Sequence, residues 1–218
     1  KEIEKGQFNK IYDDSLKVLC EIYKRLKDQR KQRSSLELDV PSYVPKFSDQ
    51  KITKFISIPR EISHMMIEEF MLAANISAAE LSIKHRIPSV YRVHPKPDIL
   101  KVKALENFLR SRKINAVLDD GSDIRKLTQL LELARDRKDK DIIHSQILYS
   151  MSLATYEADV SPHYALNYKF YSHFTSPIRR YPDLLVHRAI KSLIETHNGE
   201  VKISDDPVFT EYPYSYDQ

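Results

Sequence analysis

The sequence predicts an α+β fold, predominantly helical with a few short strands. Three observations carry this. Glycine occurs only three times in 218 residues, where ordinary usage of about 7% gives roughly fifteen. Glycine supplies positive-φ turns, so its scarcity disfavours a hairpin-rich β fold. Apolar residues recur at three- and four-residue steps along several long stretches, the period of a helix with one buried face. Between them lie short stretches where apolar and polar residues alternate, the period of a strand.

Taken in order, residues 8–31 form the first predicted helix. Phe8, Tyr12, Leu16, Leu19, Tyr23 and Leu26 make one stripe, and the basic run from Lys24 to Lys31 suits a helix C-terminus. A short strand pair is expected around 35–58, from the alternation at Leu36, Leu38 and Val40 and again from Ile52 to Ile58. Residues 61–84 are a second helix, apolar nearly all round from Met65 to Ile76 and therefore expected to be buried. "SVYRVHPKP" (89–97) is a short strand stopped by Pro95 and Pro97. Helices follow at about 98–112, 122–137 and 140–157, with Ser122 as an N-cap. "HYALNYKFYSHF" reads as extended chain, and a last helix runs from Asp183 to an αL cap at Asn198-Gly199.

Composition bounds the function. Hydrophobic residues are 41% and charged residues 30%, enough for a core and unlike a disordered chain. The net charge of +4 permits an acidic partner without requiring one. The single cysteine, Cys20, allows no intrachain disulfide and points to a reducing, cytoplasmic setting. No apolar run reaches the roughly 18 residues of a membrane span. The first residue is Lys rather than Met, which predicts a piece of a longer protein.

The densest chemistry lies in "HFTSPIRRYPDL" (173–184). Thr175 or Ser176 can cap a helix and Pro177 suits its first position; Asp183 can cap a second. Helix starts expose unpaired N–H groups, and Arg179 and Arg180 add planar forks that match phosphate. An anion site is one reading. The other is an i,i+4 pair between Arg179 and Asp183 with Arg180 on solvent. In "HMMIEEFMLAAN" a buried Glu68 or Glu69 would be costly unless paired or facing a polar site. Asn75 lies two turns beyond Glu68 on the same face. The eight histidines match no zinc spacing and read as core or capping residues. Asp119, Asp120 and Asp123 in "LDDGSD" read as a polar turn with a cap.

"HFTSPIRRYPDLLVHR", "HMMIEEFMLAANISAAE" and "VYRVHPKP" together resemble the RNB catalytic domain of the ribonuclease II and ribonuclease R family, closest to the ribonuclease R form. The three segments stand in family order and cover roughly residues 8–200. The resemblance implies the C-terminal part of an RNB domain over 1–200, with 201–218 as a terminal tail. It implies a processive, hydrolytic 3′→5′ exoribonuclease that uses Mg²⁺ and releases nucleoside 5′-monophosphates from single-stranded RNA. Arg179 matches a catalytic arginine at the scissile phosphate. Arg180, Glu68, Glu69, Thr175 and Ser176 are the implied RNA-binding set, one glutamate reading the terminal ribose hydroxyls.

The family's metal-binding aspartates would lie upstream of Lys1, so no metal ligand is expected here and the chain alone is expected to be inactive. The family's base-stacking aromatic falls near Leu38. A non-catalytic RNA-binding or interaction module of RNB shape is the alternative, and a helical scaffold without nucleic acid a third. No membrane association is expected.

Overall fold

The computed structural model describes residues 13–37, 42–48, 50–58 and 61–196. Among them are six helices and four short strands, the helix-rich α+β composition that the glycine count and the apolar periods imply. The chain divides into two compact units. The first takes residues up to Glu69 together with Asp98–Met151; the second takes Phe70–Pro97 and the residues from Ser152 onward.

In the first unit, α1 spans Asp13–Gln32, and Tyr23 and Arg30 are its buried side chains. The strand pair is an antiparallel hairpin of β1, Ser42–Ser48, and β2, Lys51–Ile58. It begins later than the alternation at Leu36 suggests: Leu36 is buried without being in a strand. Leu38, Val40 and the aromatic position near Leu38 lie outside the described residues. Helices α3, Ile99–Ser111, α4, Ile124–Ala134, and α5, Lys140–Ser150, complete the unit, with α5 packed against both others. Their stripes close a core of Leu109, Leu130, Ile143 and Ile147.

Boundaries correct the sequence reading in two places. Asp123, not Ser122, caps α4: its Oδ1 accepts from Arg125 N–H at 3.0 Å, and a carboxylate is the stronger acceptor at the positive end of a helix. The helix expected over 140–157 stops at Ser150, and Thr155–Glu157 is instead a strand, β4. The aspartates of "LDDGSD" work as turn and cap groups. Asp119 pairs with Lys126, and Asp120 accepts from Ser122 N–H at 3.0 Å.

Helix α2, Ile62–Lys84, contributes Ile62 to Glu69 to the first unit and Phe70 to Lys84 to the second. Its apolar surround is only partly buried; Met66 and Leu72 are inside, but Ile67 is exposed. In the second unit β3, Tyr91–Val93, pairs antiparallel with β4, placing Arg92 opposite Tyr156. Ala79, Tyr91 and Val93 form one core cluster, and Ile87 packs with Ala189 and Leu193 of α6, Tyr181–Thr196. Asn198-Gly199, residues 8–12 and the 201–218 tail lie outside the described residues.

Three helix ends share one device. Ser34, Arg86 and Lys113 follow α1, α2 and α3 with φ of 58°, 53° and 60°. Beyond each, a backbone N–H reaches back five residues, Ser35 to Arg30, Ile87 to Ser82 and Ile114 to Leu109. This is the closure usually made with glycine in the left-handed position. A chain with three glycines makes it with other residues.

Candidate functional site

The first unit holds the two glutamates apart in function. Successive helical residues diverge by about 100°, so Glu68 and Glu69 cannot share an environment. Glu69 Oε1 lies 2.6 Å from Arg30 Nη1, and both side chains are buried, 8% and 9% exposed. Glu68 Oε1 is 3.2 Å from the same nitrogen, with its side chain 40% exposed. Burial by itself would lower the Arg30 pKa, but the hydrogen bond it donates to Glu69 and the fields of Glu37 and Glu69 outweigh it and hold Arg30 above its ordinary value. The buried pair fixes α1 to α2, and the partly exposed Glu68 is the carboxylate presented outward. Arg30 entered the sequence reading only as part of a basic helix end; its partnership 38 and 39 residues away has no local signature.

In the second unit the Thr-Ser-Pro segment is a turn rather than a helix start, which corrects the predicted capping. Residues 177–179 turn, and α6 begins only at Tyr181. Its backbone donors are committed. Phe174 and Thr175 N–H donate to Asn75 Oδ1 at 2.9 and 3.2 Å. Ser176 N–H donates to Asp183 Oδ1 at 2.8 Å, and Arg179 and Arg180 N–H donate to Ser176 O. These N–H groups therefore do not form an anion cradle. The Thr175 hydroxyl is buried with no hydrogen-bond partner.

The arginine pairing is also the reverse of the one drawn from spacing. Asp183 is fully buried, and its ion-pair partner is Arg180, Nη2 to Oδ1 at 2.7 Å at i,i+3. Arg179 is exposed and makes no side-chain ion pair among the described residues. One arginine locks the turn and its neighbour is presented by it. Asn75, 2% exposed, braces the same turn from α2, donating through Nδ2 to Tyr171 Oη at 2.7 Å. His187 Nε2 holds Phe174 O at 2.8 Å, its ring stacked on Phe174. An amide in an apolar helix and an aspartate three residues after an arginine were the available signals for Asn75 and Asp183.

In the second unit His163, His173 and His94 are held neutral. Burial, then the field of His94, pushes His163 down to about 3. Burial, then the field of Arg180, lowers His173 to about 4. Burial lowers His94, whose Nε2 donates to Ser152 O at 2.9 Å. The neutral rings of His94 and His163 brace backbone and that of His173 meets the Tyr156 hydroxyl, leaving the positive charge to the arginines.

The model of the RNB domain matches residues 1–196, and the chain belongs to the RNB family. Ribonuclease R of Vibrio parahaemolyticus is 38% identical over 93% of this chain and 24% of that protein. A protein of Arabidopsis thaliana called inactive exonuclease DIS3L2 is 35% identical over 83% of this chain and 18% of its own length. The solved structure of Mycoplasma genitalium RNase R in complex with ribose methylated single-stranded RNA matches with a TM-score of 0.80 at 24% identity, over 88% of this chain and 30% of that one. The chain spans about a quarter of the length of the ribonuclease R relative.

Exoribonucleases of this family depend on metal. Among the described residues no three His, Cys, Asp or Glu side chains come together as a metal site. The described residues thus do not fit a metal ion, and no step is drawn through one. No described helix is long and apolar enough to cross a membrane.

Proposed function

We propose that this chain is the C-terminal part of an RNB catalytic domain, over residues 1–200, in a ribonuclease R-like enzyme. That enzyme degrades single-stranded RNA processively from the 3′ end by hydrolysis in the cytoplasm, with Mg²⁺ held by residues other than those described. The observation that carries the reading is the separation of the two arginines. Arg180 is spent on Asp183, while Arg179 is exposed with its guanidinium unpaired among the described residues. An unpaired arginine on a braced turn suits the charge that develops on a phosphoryl group during hydrolysis. Glu68, the more exposed glutamate, is the better candidate for the terminal ribose hydroxyls; Glu69 is consumed by Arg30.

The test is single-turnover hydrolysis of a labelled single strand by the intact enzyme with Mg²⁺. Arg179→Ala should lower kcat by roughly 10²–10³-fold, the effect of removing one preorganised donor, with the RNA affinity of the intact enzyme, unlike that of the 218-residue chain, little changed because many other contacts hold the strand. Arg179→Lys should also be impaired, because lysine lacks the planar fork. Full kcat in a folded Arg179→Ala enzyme overturns the catalytic assignment. The likeness to a relative described as inactive keeps a second reading open, a non-catalytic RNA-binding module. RNA binding by the intact protein without release of 5′-monophosphates would favour it.

A further inference from the structure

The β3–β4 pair of the second unit carries a cation that the reading above does not use. Arg92 and Tyr156 are register partners across the pair, so their side chains leave the same face. The Arg92 guanidinium lies over the Tyr156 ring, 4.6 Å from its centroid. The ring is itself held: its hydroxyl is 2.7 Å from His173 Nδ1, and the two rings meet edge to face with centroids 5.6 Å apart. His173 opens the segment that turns at Pro177 and presents Arg179. A continuous set of contacts therefore runs from Arg92 through Tyr156 into the arginine-bearing turn.

Arg92 is half-buried, and among the described residues no carboxylate lies within ion-pair distance of it. Two acids of the second unit have other partners. Glu157 accepts from Thr155 Oγ1 at 2.8 Å, and Asp183 is taken by Arg180. A guanidinium withdrawn from water without an anion is costly, and an aromatic face offsets only part of that cost. Contact with the ring restrains the guanidinium and leaves its N–H groups without a carboxylate partner among the described residues. Such an arginine binds phosphate bidentately with little further ordering. After burial, the field of Arg180 lowers His173, that of Asp183 raises it, and those of Arg92 and Arg179 lower it further.

We propose that Arg92, held over the Tyr156 ring, is a second phosphate-binding arginine of this chain. It takes a backbone phosphodiester of the same RNA strand that Arg179 engages. Tyr156 and, through it, His173 are positioning residues. The proposal rests on the RNA-handling reading above, and its test separates the two. The 218-residue chain is titrated with a 5′-fluorescein-labelled oligo(A) single strand at several salt concentrations, following anisotropy. Loss of one charge-assisted phosphate contact predicts roughly tenfold weaker binding for Arg92→Ala. The log–log salt dependence should also fall by about 0.7 for the one phosphate released. Arg92→Gln, which keeps the bulk on the ring, should show the same change in salt dependence. Arg92→Lys should keep the salt dependence but bind more weakly than the unaltered chain. Tyr156→Ala should weaken binding with the salt dependence retained. If Arg179→Ala weakens binding while both Arg92→Ala and Arg92→Gln leave affinity and salt dependence unchanged, the inference falls and the RNA reading stands. If the unaltered chain does not bind the strand at low salt, both fall.

Discussion

Adjacent arginines with opposite duties give a reciprocal prediction. Arg180→Ala removes the one ion-pair partner that the fully buried Asp183 has among the described residues, where the Ser176 N–H is its remaining donor. Breaking a buried pair from one side costs about 3–5 kcal/mol. The Arg180 side chain is 20% exposed, so water relieves part of the loss, and about 3 kcal/mol is the working figure. That is a large share of the roughly 5–15 kcal/mol that holds a domain together. Arg179 is exposed, and Arg179→Ala should stay within about 0.5 kcal/mol of the unaltered chain. Urea unfolding of the 218-residue chain, followed by circular dichroism, measures both, and the m value checks that the unfolding transition is the same. RNA binding should run the other way, with folded Arg179→Ala the weaker binder. If Arg179→Ala destabilises as much as Arg180→Ala, or Arg180→Ala is neutral, the division of labour is wrong. Asp183→Asn adds a check: it keeps the shape, orphans the guanidinium, and should also destabilise.

The same logic applies to the glutamates. Glu69→Gln should cost about 2–4 kcal/mol by uncoupling a buried Arg30, and Glu68→Gln less than about 1 kcal/mol because its carboxylate is partly solvated; equal losses in urea unfolding would contradict the assignment. Acid should weaken the second unit through its histidines. His163 and His173 titrate at about 3 and about 4 when folded, against 6.5 unfolded, so between those values the unfolded chain binds protons that the folded chain refuses. Stability is therefore full above pH 6.5 and falls as the pH drops toward the folded values, by at most about 1.4 kcal/mol per unit for each ring. Both rings are partly exposed, so roughly half of that is expected. Urea midpoints at pH 7.5, 6 and 5 measure it, and His163→Gln should flatten the dependence; a parallel curve would remove His163 from the account.

What could be read from the sequence follows the range of the forces involved. Helix periods and the Pro stops around "SVYRVHPKP" are local, and α2, α3 and β3 lie where those signals put them. The family resemblance singles out Arg179 and, of the two glutamates, Glu68 before Glu69 as candidates, but it does not say which glutamate or which arginine is paired inside the fold. The glutamate is chosen by Arg30, 39 residues away in sequence; the arginine is chosen by Asp183, only three residues on, on a turn braced by Asn75 about 100 residues away. The Thr-Ser-Pro turn was misread because its capping chemistry is real but satisfied from outside. Asn75 and Asp183 accept the N–H groups that a helix start would otherwise leave exposed. The overlong helix after Lys140 failed for the same reason, since pairing with β3 takes residues 155–157 into a strand.

The three glycine-free helix ends also bear on the denatured chain. A residue with a Cβ in the left-handed region is strained by about 1 kcal/mol relative to glycine. The same side chain narrows the conformations open to the unfolded backbone, so part of that strain is returned as entropy not lost on folding. Ser34, Arg86 and Lys113 thus make the chain less supple before it folds as well as strained after. Each also carries a polar or charged tip at the end of a helix, where a cation meets the negative end of the dipole in two of the three cases. The scarcity of glycine, first met as an argument against β structure, is at these corners a trade of ease of bending for a stiffer, better-charged hinge.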